Sequence, residues 1–242
     1  MSSTFDFGNV DGNYYAELEG DATALAGSPR HFRKSPFIRT FSGRRFYPLD
    51  PWPQDVSIED IAQSLSQRVR WTGHCNRLYT VATHSLRVGA AAVWFARQAG
   101  ISNEHTLALI AVVAKLHDGA EAYLPDIASP LKSSIHNWHE IEDRVQTAIH
   151  LHFGLEPDYP ELKRWVKAAD LLVLWTEKLE LFSHREPIES FFSYLDDKTT
   201  LWPGFPTCPV GAVPPAKDVT REEFQTDIEL SLATLRAKGK KS

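Results

Sequence analysis

Hydrophobic residues recur at helical spacing along most of the chain. The pattern predicts helices at roughly 80–99, 103–118, 136–153, 159–181 and 219–237. An earlier helix begins near Ser57, which forms a capping-box pattern with Asp60, and it ends before the loop at 71–74. The only β signal is the stretch at 38–47, whose β-branched and aromatic residues flank Ser42-Gly43 and predict a short hairpin. The predicted fold class is therefore all-α with a short N-terminal β-hairpin appendage.

The same pattern divides the chain into three regions. Residues 1–36 show no sustained period and are predicted to be an N-terminal extension. Residues 37–182 form the predicted main domain, with a loop at 125–130. Residues 183–242 are predicted to be a loop-rich C-terminal region ending in a helix, which begins with a capping-box pattern at Thr220 and Glu223.

Polar residues interrupt the apolar faces of three predicted helices. His84 falls within the apolar stripe of the helix at 80–99, and His117 continues the apolar face of the next helix with Asp118 beside it. Asp170 takes an inward position in a third helix, where an isolated buried carboxylate would cost several kcal/mol unless it were paired or bound to a metal. Singly, these features have structural explanations, such as a core histidine or a capped helix end. Together they favour one shared site.

Two imidazoles and two carboxylates form a mixed nitrogen and oxygen ligand set. Such a set suits Zn²⁺, Mn²⁺, Fe²⁺, Co²⁺ or Ni²⁺. A second group of histidines lies at 136, 139, 150 and 152, but acidic residues are interspersed among them. This second group is interpreted as a solvated helix face and not as another metal site.

Charge and cysteine content restrict the possible partners and compartment. Lysine and arginine number 26 against 31 acidic residues, a net charge of −5, so no global nucleic-acid-binding surface is expected and any affinity for phosphate must be local. Cys75 and Cys208 form no disulfide framework, which favours a reducing compartment. Since neither a membrane span nor a signal peptide is apparent, we expect a cytoplasmic protein, in the host cytoplasm if it is phage-encoded.

The order of these residues resembles a known signature. His84, then His117-Asp118, then Asp170 is similar to the H…HD…D pattern of the HD-domain metal-dependent phosphohydrolases. Residues 113–132, VAKLHDGAEAYLPDIASPLK, resemble the family's LLHDxxEaylgDiPxPlK segment. The run RWTGHCNRLYTVATHS resembles the approach to the first ligand in small nucleotide-hydrolysing members, and GRRFYPLDP resembles a block found in a branch common in phages and bacteria. The resemblance covers about residues 38–182 and implies an HD-domain helical bundle.

The resemblance also implies a set of metal ligands and a catalytic acidic residue. The implied metal ligands are His84, His117, Asp118 and Asp170. Glu121 matches the family's catalytic acidic residue and is expected one turn beyond His117 if the helix continues. Either Glu121 or Asp118 would then orient or deprotonate the attacking water. The implied cofactor is a divalent ion, one of Zn²⁺, Co²⁺, Mn²⁺, Mg²⁺, Fe²⁺ or Ni²⁺.

Substrate contacts follow from the same resemblance. Arg70 and Trp71 match residues that contact the phosphate in related 5′-nucleotidases, and Lys132 is a further candidate for neutralising phosphate charge. The segment implied to contact the sugar and the water consists of Asp126, Ile127, Ala128 and Ser129. Lys115 and Gly119 depart from the family pattern, which usually has an apolar residue and an Ala-like residue at these positions.

The expected enzyme is a metal-dependent phosphohydrolase acting on deoxynucleotides. The short intervals between the ligands resemble those of small phage dATP triphosphohydrolases, so we expect a dNTP triphosphohydrolase that releases deoxynucleoside and triphosphate. One alternative is a 5′-deoxynucleotidase acting on dNMPs, as in related bacterial enzymes. A second alternative is a non-catalytic helical module with a structural HD metal site. The expected partner is a nucleotide substrate, and no association with a membrane is expected. A homo-oligomer is left open as an alternative to a monomer.

Overall fold

The computed structural model describes residues 35–156, 160–182 and 213–239. The helices of this part are α1 Ile58–Gln67, α2 Val81–Gln98, α3 Glu104–Lys115, α4 Ser129–Lys132, α5 Trp138–Phe153, α6 Pro160–Leu181 and α7 Arg221–Gly239. Two short antiparallel strands, β1 Ile38–Arg39 and β2 Arg45–Phe46, form a hairpin before them. The predicted all-α fold class with a short β-hairpin is therefore confirmed. The stretch predicted as an extension at 1–36 lies almost wholly outside the described residues, as does most of the loop-rich part of the predicted region 183–242.

The hairpin turn is tied to α1 by a carboxylate. Gly43 occupies the turn with a φ of 80°, in the left-handed region that favours glycine. Asp60 accepts hydrogen bonds from the backbone nitrogen of Ser42 at 2.7 Å and from its hydroxyl at 2.8 Å. The predicted capping box at the start of α1 is therefore wrong, because the Asp60 carboxylate bonds Ser42 and not the backbone of Ser57. Ser57 is the N-cap residue but makes no side-chain cap bond, and its backbone nitrogen donates to the hydroxyl of Tyr123.

Side-chain caps fix the starts of the two central helices. The hydroxyl of Thr80 accepts a hydrogen bond from the Thr83 backbone at 3.3 Å, which begins α2. The amide oxygen of Asn103 accepts from the Thr106 backbone at 3.0 Å, which begins α3. Such bonds satisfy amide groups that a helix N-terminus leaves without partners. No helix in the described ranges is long and apolar enough to cross a lipid bilayer.

The last helix contributes to the same core as the preceding ones. Phe224, Ile228 and Leu232 recur every four residues on α7 and are buried in the main hydrophobic cluster, where α7 packs against α1 and α3. The predicted capping box at its start is confirmed, since Thr220 and Glu223 bond each other's backbone nitrogens at 3.2 and 3.0 Å. The predicted region 183–242 thus supplies a core helix, and the predicted domain boundaries stay predictions.

Lys115 at the end of α3 connects three helices. Its ammonium contacts the carboxylate of Asp227 and donates to the hydroxyl of Ser231 at 2.9 Å, both on α7. Its aliphatic stem crosses α2 at Gly89, where an added Cβ would overlap the stem. The side chain therefore fills an apolar space with its methylene groups and pairs its charge at the far end. The methylene stem thus occupies the place that an apolar residue would fill, which explains how a lysine is accommodated here.

A matched pair of leucines tests the packing of α7. Leu232 is 4% exposed and Leu230 is 64% exposed on the same helix. Leu232→Ala should lower the free energy of unfolding by about 2–5 kcal/mol because it leaves a cavity in the core. Leu230→Ala should change it by less than about 0.5 kcal/mol. Urea unfolding followed by far-UV circular dichroism measures both. Equal values for the two variants would show that α7 is not part of the folded core.

Candidate metal centre

Two histidines from different parts of the chain point their Nε2 atoms at each other. His84 lies fully buried on α2, and His117 follows the end of α3. Their Nε2 atoms are 3.4 Å apart. The Nδ1 of His117 lies 2.8 Å from the carbonyl oxygen of Ala114. Because a carbonyl can only accept, this Nδ1 carries the proton and Nε2 is left to face His84.

Two carboxylates complete the cluster. The oxygens of Asp118 lie 3.3 Å from Nε2 of His117 and 3.7 Å from Nε2 of His84. Asp170 reaches from α6, and its Oδ1 lies 3.4 Å from Nε2 of His84 and 3.9 Å from Nε2 of His117. The structure thus brings the four predicted ligands together, and the group of His84, His117 and Asp118 could hold a metal ion.

The chain reaches His117 and Asp118 after it has left the α-helix. The predicted helix to residue 118 is wrong, because α3 ends at Lys115. An α-helix would join the carbonyl of Leu116 to the amide of Ala120, but the side-chain amide of Gln146 stands between these two groups. Gln146 donates to Leu116 at 2.8 Å and accepts from Ala120 at 3.0 Å. The side chain thereby stabilises a turn in place of the last helical bonds.

Glu121 therefore approaches the cluster from a separate turn. It lies in a 3₁₀ helix, Gly119–Ala122, and not one turn further along a continuing α3 as predicted. Gly119 faces Ile149 of α5 so closely that an added Cβ would lie 3.3 Å from its Cδ1 atom. An alanine at this position would require the Ile149 side chain to shift by a few tenths of an ångström.

The electrostatic field of the cluster suits a cation. Burial favours the neutral form of His117, but the carboxylates of Asp118 and Asp170 and the bond to Ala114 raise its pKa to about 9. Burial works against the charged form of Asp118, yet His117, His84 and Arg70 hold its pKa below the ordinary value. The pKa of Asp170 is also lowered, against burial, by the two histidines and Lys167. Both carboxylates are therefore ionised at neutral pH, the state that metal ligation requires.

Glu121 has a different electrostatic environment. Its side chain is 7% exposed, and its Oε2 atom has no hydrogen-bond partner among the described residues. Burial and the charges of Asp118 and Asp126 raise its pKa to about 8, against the opposing effect of Arg70 and Lys132. A carboxyl group with a pKa close to neutral can exchange a proton at physiological pH.

The predicted phosphate contacts border the cluster on one side. The guanidinium of Arg70 lies 3.3 Å from Asp118 and 3.4 Å from Glu177. Trp71 donates its indole N–H to Glu177 at 3.0 Å, and its ring meets Phe182 edge-on at 5.1 Å between centroids. Trp71 has a φ of 57°, uncommon for a bulky residue and costly in backbone energy. Its packing and its hydrogen bond hold this backbone in place.

The remaining predicted substrate residues lead into α4. Asp126 and Ala128 are exposed, and Ile127 is partly buried against the core. The loop predicted at 125–130 is shorter than expected, since α4 begins at Ser129 with a proline in its first turn, where the missing N–H is not needed. Lys132 on α4 donates to Glu142 at 2.8 Å and lies 3.9 Å from Glu121. These positions leave the predicted substrate roles as predictions.

Two residues that the sequence pattern did not single out hold the centre together. Glu177 is fully buried on α6 and lies 2.6 Å from Nδ1 of His84. It follows Asp170 by about two helical turns on one helix face, so extending the stripe of Asp170 could have identified it. Gln146 had no such signal, because its partners are backbone groups of a distant turn.

The histidines of α5 differ from the predicted solvated face. His139 is exposed, but His150 is buried and shares a hydrogen bond with Gln146 at 3.0 Å. His152 is exposed, and its Nδ1 donates to the carbonyl of Pro53 at 2.8 Å. The prediction is therefore wrong for His150, because it borders the apolar stripe by which α5 meets the core.

No family model matches this sequence. A comparison with curated proteins gives two relatives. The chain is 41% identical over 160 residues to the uncharacterized protein RCAP_rcc00048 of Rhodobacter capsulatus, covering 63% of this chain and 78% of that protein. It is 34% identical over 145 residues to the uncharacterized protein YfdR of Escherichia coli, covering 60% of this chain and 72% of that protein. Neither name states an activity.

The bridge formed by Gln146 can be tested by truncation. Gln146→Ala removes both partners of the turn and should lower the free energy of unfolding by about 1–3 kcal/mol, because buried polar groups lose their bonds. Amide hydrogen exchange at Ala120 should accelerate. Gln98→Ala, at the exposed end of α2, is the control and should leave both quantities unchanged. Unaltered exchange at Ala120 in Gln146→Ala would contradict the assigned role.

Proposed function

The chain belongs to the family of RCAP_rcc00048 and YfdR, and within this family we propose that it is a divalent-metal-dependent phosphohydrolase acting on deoxynucleotides. The observation that carries the proposal is the convergence of two imidazole Nε2 atoms 3.4 Å apart with the carboxylates of Asp118 and Asp170. The resemblance to HD-domain phosphohydrolases supports the reaction class. The leading substrate is dATP, or another dNTP, hydrolysed to deoxynucleoside and triphosphate.

The residues fit a divalent metal ion. The Nδ1 atoms of His84 and His117 are each held by an oxygen acceptor, so the lone pairs of both Nε2 atoms turn towards the same space. At neutral pH the second proton of His117, whose pKa is raised to about 9, offsets part of the charge of the two carboxylates. A divalent ion would displace this proton when it binds, because a histidine ligand must be neutral. The mixed set of nitrogen and oxygen donors suits Zn²⁺, Mn²⁺, Fe²⁺, Co²⁺ or Ni²⁺.

The remaining groups have the chemistry that phosphoryl hydrolysis needs. A bound divalent ion supplies Lewis-acid polarisation of the phosphoryl group and a lowered pKa for water. Glu121 has a pKa of about 8, and a cation bound beside it would lower this pKa, so that the carboxylate could take the proton that the attacking water loses. Arg70 lies where it can offset charge on the phosphate oxygens. With a dNTP, the water oxygen bonds to the α-phosphorus, the bond to O5′ breaks, and O5′ gains a proton.

The first test measures metal dependence and products together. The protein is stripped with a chelator, checked for residual metal, and supplied separately with Mn²⁺, Co²⁺ or Zn²⁺ and a panel of dNTPs and dNMPs. We expect triphosphate from dATP by ³¹P NMR, only with added metal, and a higher melting temperature in the metal-bound form.

Other products would redirect the assignment. Orthophosphate released from dNMPs alone would identify a 5′-deoxynucleotidase. Metal uptake without hydrolysis of any nucleotide would favour a structural metal site in a non-catalytic module. Full activity in verified metal-free protein would end the proposal of metal dependence.

A second test separates ligation from proton transfer by two matched acid-to-amide changes. Asp170→Asn should lose bound metal, because it replaces an anionic ligand. Glu121→Gln should keep the metal and the melting temperature but lower kcat by about 10²- to 10⁴-fold, the usual loss when general acid–base help is removed. Glu104→Gln, on the surface at the start of α3, is the control.

Metal content and kcat are measured on the same preparations. Loss of metal in Glu121→Gln would make Glu121 a ligand. Full kcat in Glu121→Gln would move the proton transfer to Asp118 or Asp126. Retention of metal in Asp170→Asn would remove Asp170 from the proposed ligand set.

A further inference from the structure

The carboxylate of Glu177 is surrounded by donors. Its Oε1 accepts from the hydroxyl of Tyr79 at 2.8 Å and lies 2.6 Å from Nδ1 of His84. Its Oε2 accepts from the indole N–H of Trp71 at 3.0 Å, and Nε of Arg70 lies 3.4 Å away. Oε1 therefore faces the candidate metal ligand His84, and Oε2 faces Arg70 and Trp71, the predicted phosphate contacts.

We propose that Glu177 is a positioning residue that fixes the orientation and tautomer of His84 and, with the same carboxylate, the placement of Arg70 and Trp71. The inference rests on the proposed metal-dependent function and adds a residue outside the ligand set. An ionised carboxylate only accepts hydrogen bonds, whereas indole and guanidinium groups only donate. Nδ1 of His84 must then carry the proton, and its Nε2 lone pair faces His117 and the carboxylates.

An amide at this position cannot reproduce the arrangement. If a glutamine placed its NH₂ towards Trp71 and Arg70, this donor group would face two other donors, the indole N–H and the guanidinium. If it placed its NH₂ towards His84, the imidazole would accept at Nδ1 and carry its proton on Nε2, where no lone pair would remain for a metal. The first orientation disturbs the placement of Trp71 and Arg70, and the second removes the lone pair of His84 that faces the metal site, although glutamine has nearly the size and shape of glutamate.

The carboxylate is itself held by a second layer of bonds. Arg87 donates to the hydroxyl of Tyr79 at 3.1 Å and to both oxygens of Glu180 at 3.0 Å. Its Nε donates to the carbonyl of Pro214 at 2.9 Å. The segment before α7 is thus bonded, through Arg87 and Tyr79, to the group that orients His84. Such supporting bonds reduce the freedom of a ligand before the metal binds.

Titration with Co²⁺ tests the proposal without reference to catalysis. We expect Glu177→Gln to bind Co²⁺ about 10- to 100-fold more weakly than the wild-type chain, the usual loss when a supporting partner of a histidine ligand is removed. The visible absorption of its Co²⁺ form should also change, because the ligand geometry changes. Glu104→Gln, on the surface at the start of α3, is the acid-to-amide control, and it should bind Co²⁺ as the wild type does.

The outcomes separate this inference from the proposed function. No uptake of Co²⁺ by the wild-type chain would overturn the metal-dependent function and the inference together. Normal uptake by the wild type, with equal affinity and spectrum in Glu177→Gln, would overturn the positioning role alone. If Glu177→Gln does not fold, Tyr79→Phe decides, since it removes one bond to Glu177 and keeps the ring. A severalfold weaker affinity in Tyr79→Phe would support the role, and an unchanged affinity would overturn it.

Discussion

The electrostatic cost of gathering carboxylates inside a helical core is the constraint that organises this protein. Two carboxylates and two imidazole nitrogens face one another inside a helical core, where charge is far more costly than in water. Each group has a partner outside the cluster: Glu177 for His84, Ala114 for His117, Arg70 for Asp118 and Lys167 for Asp170. The helices on which these partners lie must keep their relative positions for the cluster to exist.

Exposure to solvent differs among the four side chains of the cluster. His84 is fully buried at its base, while the side chains of Asp118 and Asp170 are 24% and 20% exposed. A ligand from solvent would therefore meet the carboxylate side first, with Arg70 beside Asp118. The negative charge of that side is matched to a cation and would repel a phosphate that arrived without one. Under the proposed function, the metal would therefore bind before the nucleotide.

The sequence allowed the helices, and with them His84 and Asp170, to be predicted, because both depend on local periodicity. His117 and Asp118 were also predicted, but they lie past the end of α3, so helical periodicity alone does not account for their place in the cluster. His84 and Asp170 interrupt apolar stripes, and the capping box at Thr220 and Glu223 forms as its spacing indicates. What could not be predicted depends on long-range hydrogen bonds. The end of α3 is set by Gln146 on another helix, and the capping pattern at Ser57 is overridden because Asp60 bonds the hairpin turn. Glu177 could have been predicted only after Asp170 was assigned to the site, by following the same face of the helix two turns further.

The lysine that crosses from α3 to α7 has a consequence for how this sequence can diverge. Lys115 requires a glycine at position 89 and an acidic residue at position 227. Three positions on three helices are therefore expected to change together. Replacing the lysine by an apolar residue would free the glycine to become alanine or larger and would leave the aspartate without its partner. Substitutions at these sites are epistatic, and homologues are expected to exchange all three residues together or to pass through less stable intermediates.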